Sequence, residues 1–313
     1  MSNLRDTVGL CIPYGRANSQ YETEFEPATA TLWGYFNFRE GAPCFSVPLL
    51  RDIAAHEEAF VANGARVQLG TESHEVSHYV LASRAPGVFS MGGDLGLFAM
   101  LVKTQDRDAL EAYSRLCIDN VYRRVGNYGS GTLTTISLVQ GDALGGGFES
   151  ALASDVIVAE ERAQMGFPEI LFNLFPGMGA LSLLARRIGL PAAQELILSG
   201  RVMSAAQLHR LGVVDVLATD GQGETAVRNW IAKNARRRNG LQALLRARQL
   251  IHPVTRQELD GIVALWVEAA LRLGERDLRM MQRLARAQLP MAEPEFAGAA
   301  QPLTPVGEPL AAA

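Results

Sequence analysis

The chain has 313 residues, 48% of them hydrophobic and 20% charged, enough to bury one core of roughly 200 residues and a smaller appendage. That composition excludes a disordered chain, and 30 glycines without a three-residue period exclude a collagen-like one. A formal net charge of −4 argues against a general nucleic-acid binder, and the longest apolar run, Leu95 to Val102, is too short to cross a membrane.

Residues 1–25 are polar and weakly patterned and predict a loose arm; the opening MSNLRDTVGL carries no secretory-signal pattern. Thr29 to Phe38 is rich in β-branched and aromatic residues and predicts a strand. Val47 to Ala62 has helical spacing through Leu50, Ile53, Ala54 and Phe60. Tyr79 to Ala82 predicts a short buried strand, and Gly87 to Gly93 a Gly-rich loop. Leu110 to Val125 predicts an amphipathic helix whose inner face includes Cys117 as a small core residue. Thr132 to Val139 predicts a strand, followed by the loop GDALGGG, a helix from Phe148, and a strand at Val156 to Val158.

Helices are expected at Ala180–Ile188, Ala192–Leu198 and Ala205–Leu211, the last opened by a capping box of Ser204 and Gln207. Val213 to Leu217 returns as a strand. Strands alternating with helices predict an α/β core over 26–222 with a largely parallel sheet. Glu224–Gln288 is almost wholly helical in pattern, broken near Pro253, with a second capping box at Thr255 and Glu258. This gives a helical region over 223–288, and the Pro- and Ala-rich 289–313 predicts a disordered tail.

Three cysteines at wide spacing, Cys11, Cys44 and Cys117, make neither a disulfide framework nor a CxxC pair and fit a reducing cytoplasmic compartment. The basic cluster Arg236, Arg237, Arg238, Arg246 and Arg248 reads either as a surface for an anionic ligand or partner, or as a solvated helix end. His74-Glu75-Val76-Ser77-His78 matches H-E-x-x-H, which binds zinc only on a helix. Here it leads into a strand, where positions four apart are separated by about 13 Å, and no third ligand follows. No metal site is therefore expected.

The segment from Gln140 to Gly179 carries the most chemistry. A strand ends, three glycines follow, and a helix begins, so bare N–H groups and a positive helix end face any ligand there. Glu149 falls in the first helical turn, and Glu169 lies 20 residues further on. A tight turn beside two unrelated surface glutamates would give the same local pattern.

The stretches GDALGGGFE, SDVIVA, AQMGFPEI, FPGMGA and SGRVMSAAQLHRLGVVDVL, with PGVFSMGGDL at Pro86–Leu95, resemble the crotonase (enoyl-CoA hydratase/isomerase) superfamily over roughly residues 27–290. YVLASRAPGVFSMGGDL, GFPEILFNLFPGMGA and APCF are most similar to the diffusible-signal-factor synthases, bacterial crotonases that make cis-2-unsaturated fatty-acid signals. The resemblance implies a spiral of ββα units and a C-terminal helical region for trimer formation. It also implies an oxyanion hole from the N–H groups of Gly93 and Gly146, and an acid/base pair of Glu149 and Glu169. It places Gly145 at the substrate and Leu144, Met178 and Trp266 around an acyl chain.

FREGAPCFSVPLL replaces the segment that holds the CoA adenine in ordinary hydratases, so an acyl-carrier-protein thioester is expected over a CoA thioester. No other cofactor is implied. The expected partners are the carrier protein or CoA, further copies in a trimer or dimer of trimers, and a sensor kinase.

Physically, two N–H donors would stabilise the enolate that forms when a thioester loses its α-proton, while one carboxylate takes that proton and one carboxylic acid releases the β-hydroxyl as water. The same donors could hold the tetrahedral intermediate of thioester hydrolysis. An ordinary enoyl-CoA hydratase, a non-catalytic interaction protein and a zinc peptidase are the competing readings. Retention of both glutamates opposes the second, and strand context opposes the third.

Overall fold

A computed structural model describes residues 19–38 and 41–288. The expected arm is corrected at its end. Tyr21–Glu26 alternates Tyr, Thr and Phe inward with Glu outward and forms strand β1, which pairs antiparallel with β2 (Thr31–Phe36). Pro27–Thr29 is a 3-10 turn between them, so the strand expected from Thr29 begins two residues later. Residues 1–18 and the expected tail at 289–313 lie outside the described residues.

Helix α1 (Val47–Ala62) follows, opened by Ser46, whose hydroxyl accepts the Leu49 N–H. The unanticipated hairpin of β3 (Arg66–Leu69) and β4 (Glu72–Glu75) leads to β5 (His78–Ser83). The H-E-x-x-H segment is thus divided between two strands, with His74 on β4 and His78 buried on β5. The loop expected at Gly87–Gly93 contains a strand, β6 (Val88–Ser90). The apolar run after it is a helix, α2 (Leu95–Lys103), capped by Asp94, and α3 (Arg107–Val125) is capped by Asp106.

Strand β7 (Thr134–Val139) is followed by β8 (Asp142–Leu144), inside the predicted GDALGGG loop, and then by α4 (Gly146–Leu152). Next come β9 (Val156–Glu160), β10 (Gln164–Gly166), α5 (Ala180–Ile188), α6 (Leu190–Ser199), β11 (Val202–Ser204), α7 (Ala205–Arg210) and β12 (Val216–Ala218). The Ser204–Gln207 capping box is present with both reciprocal bonds.

Besides the two-stranded β3-β4 sheet, two larger sheets result, ordered β1-β2-β5-β7-β9-β12 and β11-β10-β8-β6. The first is parallel from β2 onward, and β6, β8 and β10 run parallel in the second. The chain therefore passes three times through one pattern: a strand in the first sheet, a strand in the second, then helix. This is the expected spiral of ββα units.

Strand alternation separates two cores. Val80, Ile136, Leu138, Val156 and Val158 face one way, under α8 (Gly223–Asn234) with Val227 and Ile231. Leu81, Val139, Ile157 and Ala159 face the main core with α1, α3, α4 and α5. The remaining helices are α9 (Arg238–Ile251), α10 (Arg256–Ala270) and α11 (Glu275–Gln288). Thr255 caps α10 by accepting the Glu258 N–H, but the Glu258 carboxylate departs from the capping-box pattern and takes both ends of the Arg186 guanidinium at 2.9 and 2.8 Å. In the basic cluster, Arg248 pairs at 3.4 Å with buried Asp155 and Arg238 donates to the Thr132 carbonyl.

Buried Arg124 ties α3 to both strands beneath it. It donates to the Ser154 hydroxyl at 2.7 Å, the Ile136 carbonyl at 2.7 Å, the Tyr79 carbonyl at 3.3 Å and the Tyr128 hydroxyl at 3.2 Å. Replacing it with an apolar side chain strands those acceptors in the core. Arg124→Met is expected to lower stability by about 3 kcal/mol, read as a drop in the urea midpoint with an unchanged m-value.

Candidate active site

The site forms where the loop after β6 meets the start of α4. Gly92 has φ of +87°, and a Cβ on it would lie 2.5 Å from the Leu144 carbonyl oxygen and 3.0 Å from the Gly146 nitrogen. Only glycine permits that approach. A Cβ built on Gly146 would stand 3.5 Å from the Gly93 nitrogen, so the two N–H groups expected to act together are neighbours in space. Gly146 opens α4, and its N–H has no partner within the helix. At Gly93 the bridge to Phe45 uses the Gly92 carbonyl, leaving the Gly93 N–H on the opposite side. Two such donors in a low-dielectric cleft can hold an oxygen that is gaining negative charge.

Gly93, Gly145, Gly146, Glu149, Glu169, Met178 and Trp266 all line one cavity, narrow enough that only about 60 Å³ is open to the centres of water molecules. Leu144 is the exception. It ends β8 paired with Gly166, and it is absent from the cavity lining. Its contribution to the site is its backbone carbonyl against Gly92. The remaining wall is mostly apolar: Met91, Leu95, Phe172 and Leu174 fall within the crotonase-like motifs but not among the expected site residues, and Phe98 lies outside those motifs. Tyr113 also lines it, donating to the Phe45 carbonyl at 2.5 Å and accepting the Asp94 N–H at 3.3 Å. Cys117 is core and wall at once; burial pushes its thiol up, so it stays protonated.

The two carboxyls sit in unequal surroundings. Glu149 is 1% exposed, and its Oε1 accepts the N–H groups of Met178 at 2.7 Å and Ala180 at 2.9 Å, at the N-terminal end of α5. Burial pushes its carboxyl up to about 7, against the pull of those two N–H groups toward the charged form. Glu169 stands on a 3-10 turn, Pro168–Phe172, and its buried Oε2 has no hydrogen-bond partner. Burial, then the neighbouring Glu149 charge, pushes it up to about 8. Two N–H donors favour the charged form of Glu149, and Glu169 Oε2 has no such donor.

Gly145 has φ of +51°, and a Cβ there would meet Glu169 Oε1 at 2.2 Å. Alanine at 145 would keep the N–H but strain the backbone and push Glu169 aside. Trp266, on α10 and 5% exposed, packs edge-to-face on Phe98 with ring centroids 5.1 Å apart. A Cβ on Gly177 would meet its ring at 2.5 Å, so the indole is both packed and exposed to the cavity. Among the described residues there is no group of three or more His, Cys, Asp or Glu arranged to hold a metal ion, and no helix is long and apolar enough to cross a membrane.

A spiral of ββα units, with two neighbouring glycine backbones and a buried pair of glutamates lining one cavity, is a crotonase-type arrangement. Residues 68–262 match the enoyl-CoA hydratase/isomerase family, and the chain belongs to it. Among its relatives is "Probable enoyl-CoA hydratase echA8" of Mycobacterium leprae, 33% identical over 206 residues, covering 59% of this chain and 76% of that one. The peroxisomal fatty acid beta-oxidation multifunctional protein AIM1 of Arabidopsis thaliana is 33% identical over 144 residues, 46% of this chain, which span only 19% of AIM1. The enoyl-CoA hydratase from Bacillus halodurans shares the fold at a TM-score of 0.68 and 20% identity, over 85% of this chain and 100% of that one.

Two measurements follow from this geometry. Carboxyls held above their unfolded pKa keep protons that the unfolded chain releases, so their contribution is full at low pH and lost as pH rises through about 7 to 8. Melting temperature is expected to fall from about pH 5 to about pH 9, and less steeply in Glu169→Gln. For Trp266→Ala, loss of packing costs roughly 3–5 kcal/mol. Loss of a cavity wall also changes the ranking of substrates of graded chain length, since each buried CH₂ is worth about 0.8 kcal/mol. The expected outcome is both a lower melt and a shifted length profile.

Proposed function

We propose that the protein is a lyase that interconverts 2-enoyl and 3-hydroxyacyl thioesters. The observation that carries this is the unequal glutamate pair facing two backbone N–H donors in one apolar cavity. Gly93 and Gly146 polarise the thioester carbonyl and stabilise the enolate. In hydration, Glu149 takes a proton from water as it adds to Cβ, and protonated Glu169 delivers a proton to Cα. Dehydration runs through the same transition state with the roles exchanged: Glu169 removes the α-proton and Glu149, protonated, releases the hydroxyl as water. The two N–H donors at Glu149 suit its role as the base in hydration.

A second reading is favoured by one sequence feature. The chain carries APCF at Ala42–Phe45, and its likeness to signal synthases is strongest there and around both site loops. On this reading the enzyme dehydrates a 3-hydroxyacyl carrier-protein thioester and then hydrolyses the enoyl product to a free cis-2-unsaturated acid, a quorum-sensing signal. Water would attack the carbonyl held by the same two donors, and the carrier thiol would leave with a proton. Neither Cys117 nor any cofactor is required. The reading includes a cytoplasmic location, assembly as a trimer or dimer of trimers, and docking to a sensor kinase. Assembly is supported by α9, none of whose residues is buried and whose Leu244, Leu250 and Ile251 are 67%, 83% and 70% exposed.

Incubation with 3-hydroxyacyl thioesters of carrier protein and of CoA, with mass spectrometry of products, tests both readings. Enoyl thioester alone supports a hydratase; free unsaturated acid supports the synthase; neither product removes both. Glu149→Gln and Glu169→Gln are each expected to lose on the order of 10²–10⁴ in turnover while remaining folded. Near-wild-type turnover in either would sink the acid/base assignment.

A further inference from the structure

Gln288, the last described residue of α11, is only 7% exposed although polar. Its Nε2 donates to the Met91 carbonyl at 2.8 Å and to the Gly93 carbonyl at 3.1 Å. A side-chain amide nitrogen has two hydrogens, and both acceptors here are carbonyl oxygens, so only the NH₂ end can face them. Those carbonyls flank the peptide that carries the Gly93 N–H. That peptide's own carbonyl, on Gly92, accepts the Phe45 N–H at 2.7 Å, and the Gly92 N–H donates to the Ser90 hydroxyl at 3.2 Å. Met91-Gly92-Gly93 contains two glycines and has little stiffness of its own. Its orientation must come from outside, and Gln288 holds it on both sides.

The same helix also reaches the other half of the site. Asp277 of α11 accepts from the Asn173 amide at 3.4 Å, at the end of the 3-10 turn that bears Glu169. From this we infer that Gln288 is a positioning residue. Its amide clasps the Met91–Gly93 turn so that the Gly93 N–H stays aimed at the thioester oxygen. The last helix of the appendage is then part of the acyl-activating machinery. The inference rests on the reading of Gly93 as a donor to that oxygen.

The test uses the full chain and two variants, Gln288→Met, which keeps length and loses both donors, and Gln288→Glu, which turns a carboxylate toward two carbonyls. Hydration of a 2-enoyl-CoA is measured with a thermal melt for each protein. A chromophoric reporter, 4-(dimethylamino)cinnamoyl-CoA, is titrated in parallel, because hydrogen bonds to its carbonyl move its absorbance to longer wavelength. Wild type is expected to turn over and to shift the reporter. Both variants are expected to lose roughly 10- to 100-fold in kcat with KM within about twofold, and to bind the reporter with a smaller shift. A lower melt accompanied by unchanged kcat and an unchanged shift would overturn the inference. So would a change in KM alone. A wild type that neither hydrates enoyl-CoA nor shifts the reporter would instead remove the two-donor reading itself.

Discussion

The site depends on how closely two backbones approach each other. A Cβ on Gly141 would lie 2.1 Å from the Gly87 carbonyl, one on Gly147 2.2 Å from the Ser90 carbonyl, and one on Gly92 2.5 Å from the Leu144 carbonyl. Along this line the connection leaving β5 and the connection leaving β7 touch without side chains between them. That contact brings the Gly93 and Gly146 N–H groups together, although they are 53 residues apart in sequence. Any side chain in the seam would push them apart, and the charge-stabilising geometry would be lost however well the glutamates were placed.

The glutamates line the cavity beside that seam and are made unlike by their neighbours. Glu149 is fixed by two N–H groups from the start of α5, which offset part of the cost of burying its charge. Glu169 has an orphaned oxygen and a carboxylate neighbour, and both oppose its ionisation. Two residues of one type thereby meet unequal surroundings, although burial raises the pKa of both. The apolar walls raise the cost of charging either carboxyl.

The helical appendage completes the enclosure. Trp266 on α10 closes one wall against Phe98, and Gln288 on α11 grips the donor turn. Both helices pack on α2 or α3, so their position is set by the apolar surface of the core. Arg186 locks the start of α10 through Glu258. The loops that carry Gly93 and Glu169 are therefore held in part by a helical region that supplies neither glutamate.

The sequence by itself determined the local structure and the chemistry-bearing residues. Helix spacing marked Val47–Ala62 and Ala180–Ile188 at their observed ends, and Ser204 with Gln207 marked a cap, because these signals lie within one or two turns. Glycines followed by Glu149, with Glu169 beyond, were legible for the same reason. Three-residue strands such as β6, β8 and β10 were not, since they are too short to show a period and exist through pairing with each other. Strand β1 was hidden by its glutamates, which face outward once β2 pairs with it. Phe98, Tyr113 and Gln288 carry no local signal of a site, and Leu144 carried a misleading one. Which side chains face the cavity is set by contacts between residues far apart in the chain, and only the tertiary structure decided it.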